Sequence, residues 1–141
     1  MTKFASAASC NGDTETATRA CLSELSGTIE PSNIDFVWVG MSPALEHKEA
    51  LGLLQSATGG ATIIGASSAG EFTENGAVSG GMSVGAVASD SMAFSAGLGT
   101  GYGSGPQAAI DSAVGDSDTD IQEAYPHTVG LNFHDGLVGN G

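Results

Sequence analysis

ATIIGASSAGEFTENGAVSGGMSVGAV, residues Ala61–Val87, carries the reading that decides how this chain folds. A β-branched run, Thr62-Ile63-Ile64, enters five small residues, Gly65-Ala66-Ser67-Ser68-Ala69, before Gly70-Glu71. Side chains this small let backbone, solvent or a ligand approach closely, because almost nothing projects to hold them apart. Asn75-Gly76 then signals a hairpin, and a Gly/Val/Ala strand follows it. The small-residue turn therefore joins a strand to a hairpin.

Upstream, the pattern alternates. Phe4–Ser9 is a short strand candidate. Asp13 or Thr14 caps a helix with apolar Ala17, Cys21 and Leu25 on one stripe and Gly27 as its stop. Ile34–Gly40, containing FVWVG, is a continuous apolar strand of the kind buried on both faces. Ser42-Pro43 opens a second helix, with His47, Leu51 and Leu54 on one stripe and Gly59-Gly60 ending it. With the strand at Thr62–Gly65, this makes a parallel βαβαβ unit with right-handed crossovers.

Downstream, Val78–Ser89 and Ser91–Gly99 read as a meander, the second placing Met92, Phe94, Ala96 and Leu98 on one face. Gly105-Pro106 starts a third helix through Val114. An acidic loop follows, then a last strand at Thr128–Phe133 with Val129, Leu131 and Phe133 on one face. The expected fold class is α/β: a mixed β-sheet in which a parallel βαβαβ unit precedes an antiparallel meander, with helices packed on the sheet. Residues 1–141 are expected to form one domain, a size that buries roughly 68–70% of its unfolded surface.

Charge narrows the function. Sixteen acids face three Lys and Arg residues, a formal net charge of −13. Phosphate recognition needs cations, so nucleic acids and anionic membranes are excluded as partners. Acid–acid repulsion is largely screened at about 1 M salt, where the Debye length is about 3 Å, so the pattern reads as halophilic. No apolar run approaches the ~20 residues that span a bilayer. The apolar stretch in MTKFASAASC is too short for an export signal, and a cytoplasmic location is expected. Cys10 and Cys21 form no CxxC pair and read as buried free thiols.

Several motifs lack the context their chemistry needs. Ser68 in Ala66-Ser67-Ser68-Ala69-Gly70 approaches a nucleophile elbow, with Asp111 and then His127 or His134 following in hydrolase order. An elbow needs a helix directly after the serine, and a hairpin follows here. Gly103-Ser104-Gly105-Pro106-Gln107-Ala108 mimics a dinucleotide fingerprint without a βαβ unit. The alternating Gly97, Gly99, Gly101, Gly103 and Gly105 more simply thin one strand face for close packing. Asp116-Ser117-Asp118-Thr119-Asp120 opens like a calcium loop, but Ile121 and His127 stand where Gly and Glu belong. His47, His127 and His134 show no zinc spacing. Neither a metal site nor a cofactor is expected.

GASSAGEF with its short turn and small-residue strand resembles the signature of FIST domains. GPQAAIDSAV at Gly105–Val114 and LNFHDGLVGNG at Leu131–Gly141 agree with it, as do the first strand and helix and the DFVWVGMS strand. The resemblance implies a sensory module of signal-transduction proteins that binds small ligands, amino acids among them, without catalysis. Family members run beyond the DGL-type segment where this chain stops, so it reads as the front part of a FIST region. The alternatives are a self-assembling structural or interaction module and, third, a serine hydrolase-like enzyme. A homo-oligomer is expected, a second copy supplying cover for the sheet.

In open α/β sheets, ligands lie beyond the carboxyl ends of the parallel strands. Those ends are Asn11, Ser42 and Ser67-Ser68, with Gly70 and Glu71 closing the small-residue turn. His47 could reach the same rim, and His134 and Asp135 join it if the last strand is parallel. Hydroxyls, an amide, an imidazole and a carboxylate suit a small zwitterion better than a phosphate.

Overall fold

A computed structural model describes residues 1–116 and 124–133. The chain divides into two compact units, Met1–Ser91 and Met92–Gly141.

In the first unit the elements are β1 (Lys3–Ser9), α1 (Thr14–Ser26), a 3-10 turn (Pro31–Asn33), β2 (Phe36–Met41), α2 (His47–Thr58), β3 (Thr62–Ser67), β4 (Glu71–Thr73), β5 (Gly76–Val78) and β6 (Met82–Ala88). Four strands form a sheet in the order β1-β6-β2-β3, while β4 and β5 form a separate hairpin. β6 runs antiparallel to both β1 and β2, and β2 runs parallel to β3. Hence β1, β2 and β3 share one direction, as the βαβαβ pattern requires, but β6 is inserted between the first two.

Period two then sorts the sheet into faces. Ala7 lies opposite Val84 and Val84 opposite Val39; Ala86 lies opposite both Ala5 and Val37, and Met82 opposite Met41. This face meets Ala17, Cys21 and Leu25 of α1 and Ala50 and Leu54 of α2 in one buried core. The other face carries Phe4 and Trp38, 65% and 44% exposed, together with Gly40, Ser83 and Gly85. FVWVG is therefore buried on one face only, which corrects the two-faced reading: Val37 and Val39 pack into the core with α1 and α2, while Trp38 is 44% exposed.

α1 begins where its cap allows. The Asp13 carboxylate accepts the Thr16 N–H at 2.8 Å, and Gly27 closes the helix. Hydrogen bonding from Thr16, its side chain first and then its backbone N–H, holds the Asp13 carboxyl below its ordinary value of 3.8. A carboxyl depressed in the fold contributes stability that is complete above the unfolded value and is lost as pH falls through the folded one. Asp13→Ala is accordingly expected to lower the melting temperature at pH 7, with the difference from wild type shrinking as pH falls below the ordinary carboxyl value. A constant difference across thermal melts from pH 7 to 2 would contradict this.

α2 starts at His47 rather than at Ser42-Pro43. Leu45 is buried first, in a turn whose Leu45 N–H donates to the Ser42 carbonyl at 3.1 Å. The helix buries Ala50, Leu54 and Thr58 and leaves His47 and Leu51 exposed, so the expected stripe is rotated. It ends at Gly59 in the left-handed region, φ 68°. Cys21 is a buried free thiol, pushed up to about 12 by burial and then by Glu24, whereas Cys10 is exposed, contrary to expectation. Val78–Ser89 is not one strand: Ser79-Gly80-Gly81 breaks it into β5 and β6, Gly80 at φ 73°.

In the second unit, α3 spans Pro106–Asp116. Residues 92–100 pair in no strand, so the second meander strand is absent. The glycines there nevertheless serve close packing, against a helix instead of a strand. A Cβ on Gly97 or Gly99 would fall 1.8 or 1.9 Å from the carbonyl oxygens of Ala113 and Ala109. Residues 128–133 are also not a strand, with Val129 87% and Leu131 63% exposed. Alternating residues mark a face, but a strand forms only where another backbone completes the ladder. Asp118 and Asp120 of the calcium-like run lie outside the described residues. No described helix is long and apolar enough to cross a membrane.

Candidate functional site

β1, β2 and β3 end at Ser9, Met41 and Ser67 on the same edge, where β6 begins at Met82. Backbone bonds tie this edge together: the Ser42 N–H donates to the Gly81 carbonyl at 2.8 Å, and the Ser68 N–H to Met41 at 2.9 Å.

The strand-end residues then divide by task. Asn11 Oδ1 accepts the Asp13 N–H at 2.9 Å, and Ser42 Oγ accepts the Ala44 N–H at 3.3 Å. Both shape the entry into the following segment, the ordinary work of short polar side chains in turns. A third bond, from the Glu46 N–H to Thr14 Oγ1 at 2.9 Å, links the starts of the two helices. His47 is exposed on α2, and Ser67 and Gly70 are exposed around the small-residue turn. His134 and Asp135 lie outside the described residues.

Ser68 and Glu71 come together. Ser68 Oγ donates to Glu71 Oε1 at 2.7 Å, and the Glu71 side chain is 2% exposed. Its other oxygen, Oε2, is buried without a hydrogen-bond partner. Ser68 also stands over the sheet face opposite α1 and α2: a Cβ on Gly40 would lie 3.6 Å from Ser68 Oγ and 3.4 Å from Ser83 Oγ. The chain runs from Ser68 into β4, so no helix N-terminus stands behind this serine as a hydrolase elbow requires. Likewise no strand precedes Gly103-Ser104-Gly105 at residues 92–100, and the dinucleotide context is missing.

From Glu71 the β4–β5 hairpin folds back over β1 and β6. Beneath it lies a hollow of about 350 Å³, floored by Trp38, Ser83 and Gly85 and walled by Phe72, Thr73 and Glu74, with Ser6 at the side. The size fits a small molecule, at the lower end of the usual ~300–1,000 Å³ for ligand sites. Ser6 Oγ donates to Glu74 Oε2 at 2.5 Å, pinning hairpin to sheet. That bond, with the backbone N–H of Glu74, holds its carboxyl below the ordinary value of 4.5. Glu74 is the acid that lines the hollow. Among the described residues no three His, Cys, Asp or Glu side chains gather as a metal site.

Reasoning from strand ends did not find Ser6, Trp38, Phe72, Glu74, Ser83 or Gly85. Two signals were present in the sequence: the single Trp among the apolar residues of β2, and a glycine within β6. Trp38 and Gly85 turn out to be register partners, the indole lying 3.7 Å from where a Gly85 Cβ would be.

Residues 35–141 match the FIST N domain family. This chain belongs to the FIST N domain family. FIST domains are sensory domains of signalling proteins and bind small ligands. The match takes in β2 through α3, including the small-residue turn, while β1 and α1 precede it. Neither curated proteins nor solved structures gave a match.

Proposed function

We propose that this FIST domain senses a small zwitterion of amino-acid size in the hollow beneath the β4–β5 hairpin. The observation that carries this reading is the hollow's junction, through Ser83 and Gly40, with the Ser68–Glu71 pair at the ends of the parallel strands. An apolar floor, the Ser83 hydroxyl and the Glu74 carboxylate line the hollow, and Ser68 Oγ lies near the same Gly40 position as Ser83 Oγ. The hairpin is held by the bond from Ser6 to Glu74, by that from Ser68 to Glu71 and by short loops, so binding can shift it and pass a signal on.

A thermal-shift screen of the twenty free amino acids in molar KCl tests this. At least one is expected to raise the melting temperature. Gly40→Ala places a methyl group in ordinary contact with both hydroxyls, so the fold survives while the corner fills. Its ligand-induced shift is expected to fall to less than half. A flat response to all twenty, or an undiminished shift in Gly40→Ala, would overturn the assignment.

A further inference from the structure

The geometry points to Glu71 as the acceptor for a protonated amine, which makes the ammonium group the feature this site selects. The inference rests on the ligand site proposed above and specifies its chemistry. A carboxyl oxygen buried without a hydrogen-bond partner is costly, so Oε2 calls for a donor the chain itself does not supply among the described residues.

The neighbouring hydroxyls define that donor. Ser68 gives its one hydroxyl proton to Oε1, and is left with lone pairs that only accept. Ser83 Oγ lies against the same Gly40 position and can accept as well. An ammonium carries three N–H donors; in the proposed pose Glu71 Oε2 supplies one acceptor, and Ser68 Oγ and Ser83 Oγ, both beside Gly40, supply the others. A phosphate or carboxylate would instead face Glu71 and the rim carboxylate Glu74. A divalent metal ion would need more oxygen ligands than one carboxylate provides.

The net charge of −13 attracts any cation, but that long-range field is screened at high salt, whereas a buried pair is screened far less. The test is therefore run in about 1 M NaCl. Ethanolamine and its uncharged counterpart ethylene glycol are titrated against the whole chain, against Glu71→Gln, which keeps an acceptor for Ser68, and against Glu30→Gln, which removes one exposed acid elsewhere. Ethanolamine is expected to stabilise wild type and Glu30→Gln, ethylene glycol neither, and Glu71→Gln to bind ethanolamine at least tenfold more weakly. In wild type carrying ¹³C-labelled glutamate, the Glu71 carboxyl resonance is expected to move with ethanolamine, a readout that holds even if the variant misfolds. Equal affinity in folded Glu71→Gln, equal responses to the two probes, or a stationary Glu71 resonance would each overturn the inference. Amino acids binding while ethanolamine leaves Glu71 undisturbed would sink this inference alone. Ethanolamine acting at Glu71 while no amino acid binds would sink the zwitterion reading alone.

Discussion

Gly81→Ala is expected to destabilise the first unit by about 3 kcal/mol or more, at the top of the range for overpacking. Gly81 is buried directly before β6, with the end of β1 on one side and that of β2 on the other. A Cβ there would lie 1.8 Å from the Ser9 carbonyl oxygen and 2.8 Å from Cys10 Cα. Both neighbours are backbone, so no side chain can swing aside. Relief requires moving β1 from β6 or breaking the bond from the Ser42 N–H to the Gly81 carbonyl. For a unit of this size, each kcal/mol shifts the melting temperature by roughly 4–8 °C. Gly52→Ala is the matched contrast: it lies inside α2 with nothing within 4 Å of the added carbon. Removing a helix-interior glycine should stabilise by about 0.5–1 kcal/mol. Thermal melts of both variants in high salt provide the check, and a Gly81→Ala protein melting with wild type would refute this packing argument.

Dilution of salt is expected to act on the whole chain at once. We propose that the acidic excess is a halophilic adaptation. Among the described residues the ion pairs are Arg19 with Glu15 and the N-terminal ammonium with Asp90, both exposed. Surface pairs of this kind contribute little, and sixteen acids cannot be offset by three bases. Their mutual repulsion must then be met by counterions. Lowering KCl from about 2 M to ~0.1 M lengthens the Debye length to about 10 Å and restores repulsion between neighbouring acids. Loss of the cooperative far-UV circular dichroism melt at the lower salt is the expected result. A melting temperature unchanged across the dilution would remove the halophilic proposal. The experiment also sets the conditions for ligand work, since binding measured in dilute buffer would mix site chemistry with partial unfolding.

Much of the local structure was legible because its signals are local. Asp13 before an apolar stripe and Gly27 after it bounded α1, and Gly105-Pro106 opened α3. Thr62-Ile63-Ile64, the small residues and Asn75-Gly76 spelled out strand, turn and hairpin in order. Membership of the FIST N domain family was legible in the same residues. Each signal acts within a few residues of the backbone it shapes, so no distant partner had to be known.

What only the tertiary structure decided was who neighbours whom. Period two tells a strand which side chains share a face, not which strand completes its ladder. The insertion of β6 between β1 and β2, more than forty residues from either partner, is therefore invisible in the local pattern. The same limit explains the failed readings. Residues 128–133 alternate well but have no strand partner among the described residues, and FVWVG is apolar throughout although only one of its faces is buried in the core. The site follows from that arrangement. Ser68 and Glu71 were readable as strand-end residues and their hydrogen bond spans only three residues, but the hollow over Trp38 and Gly85 exists only because the hairpin folds back across β6. That fold-back is a contact between segments, and its free energy comes from burial and hydrogen bonds that no short window of sequence contains.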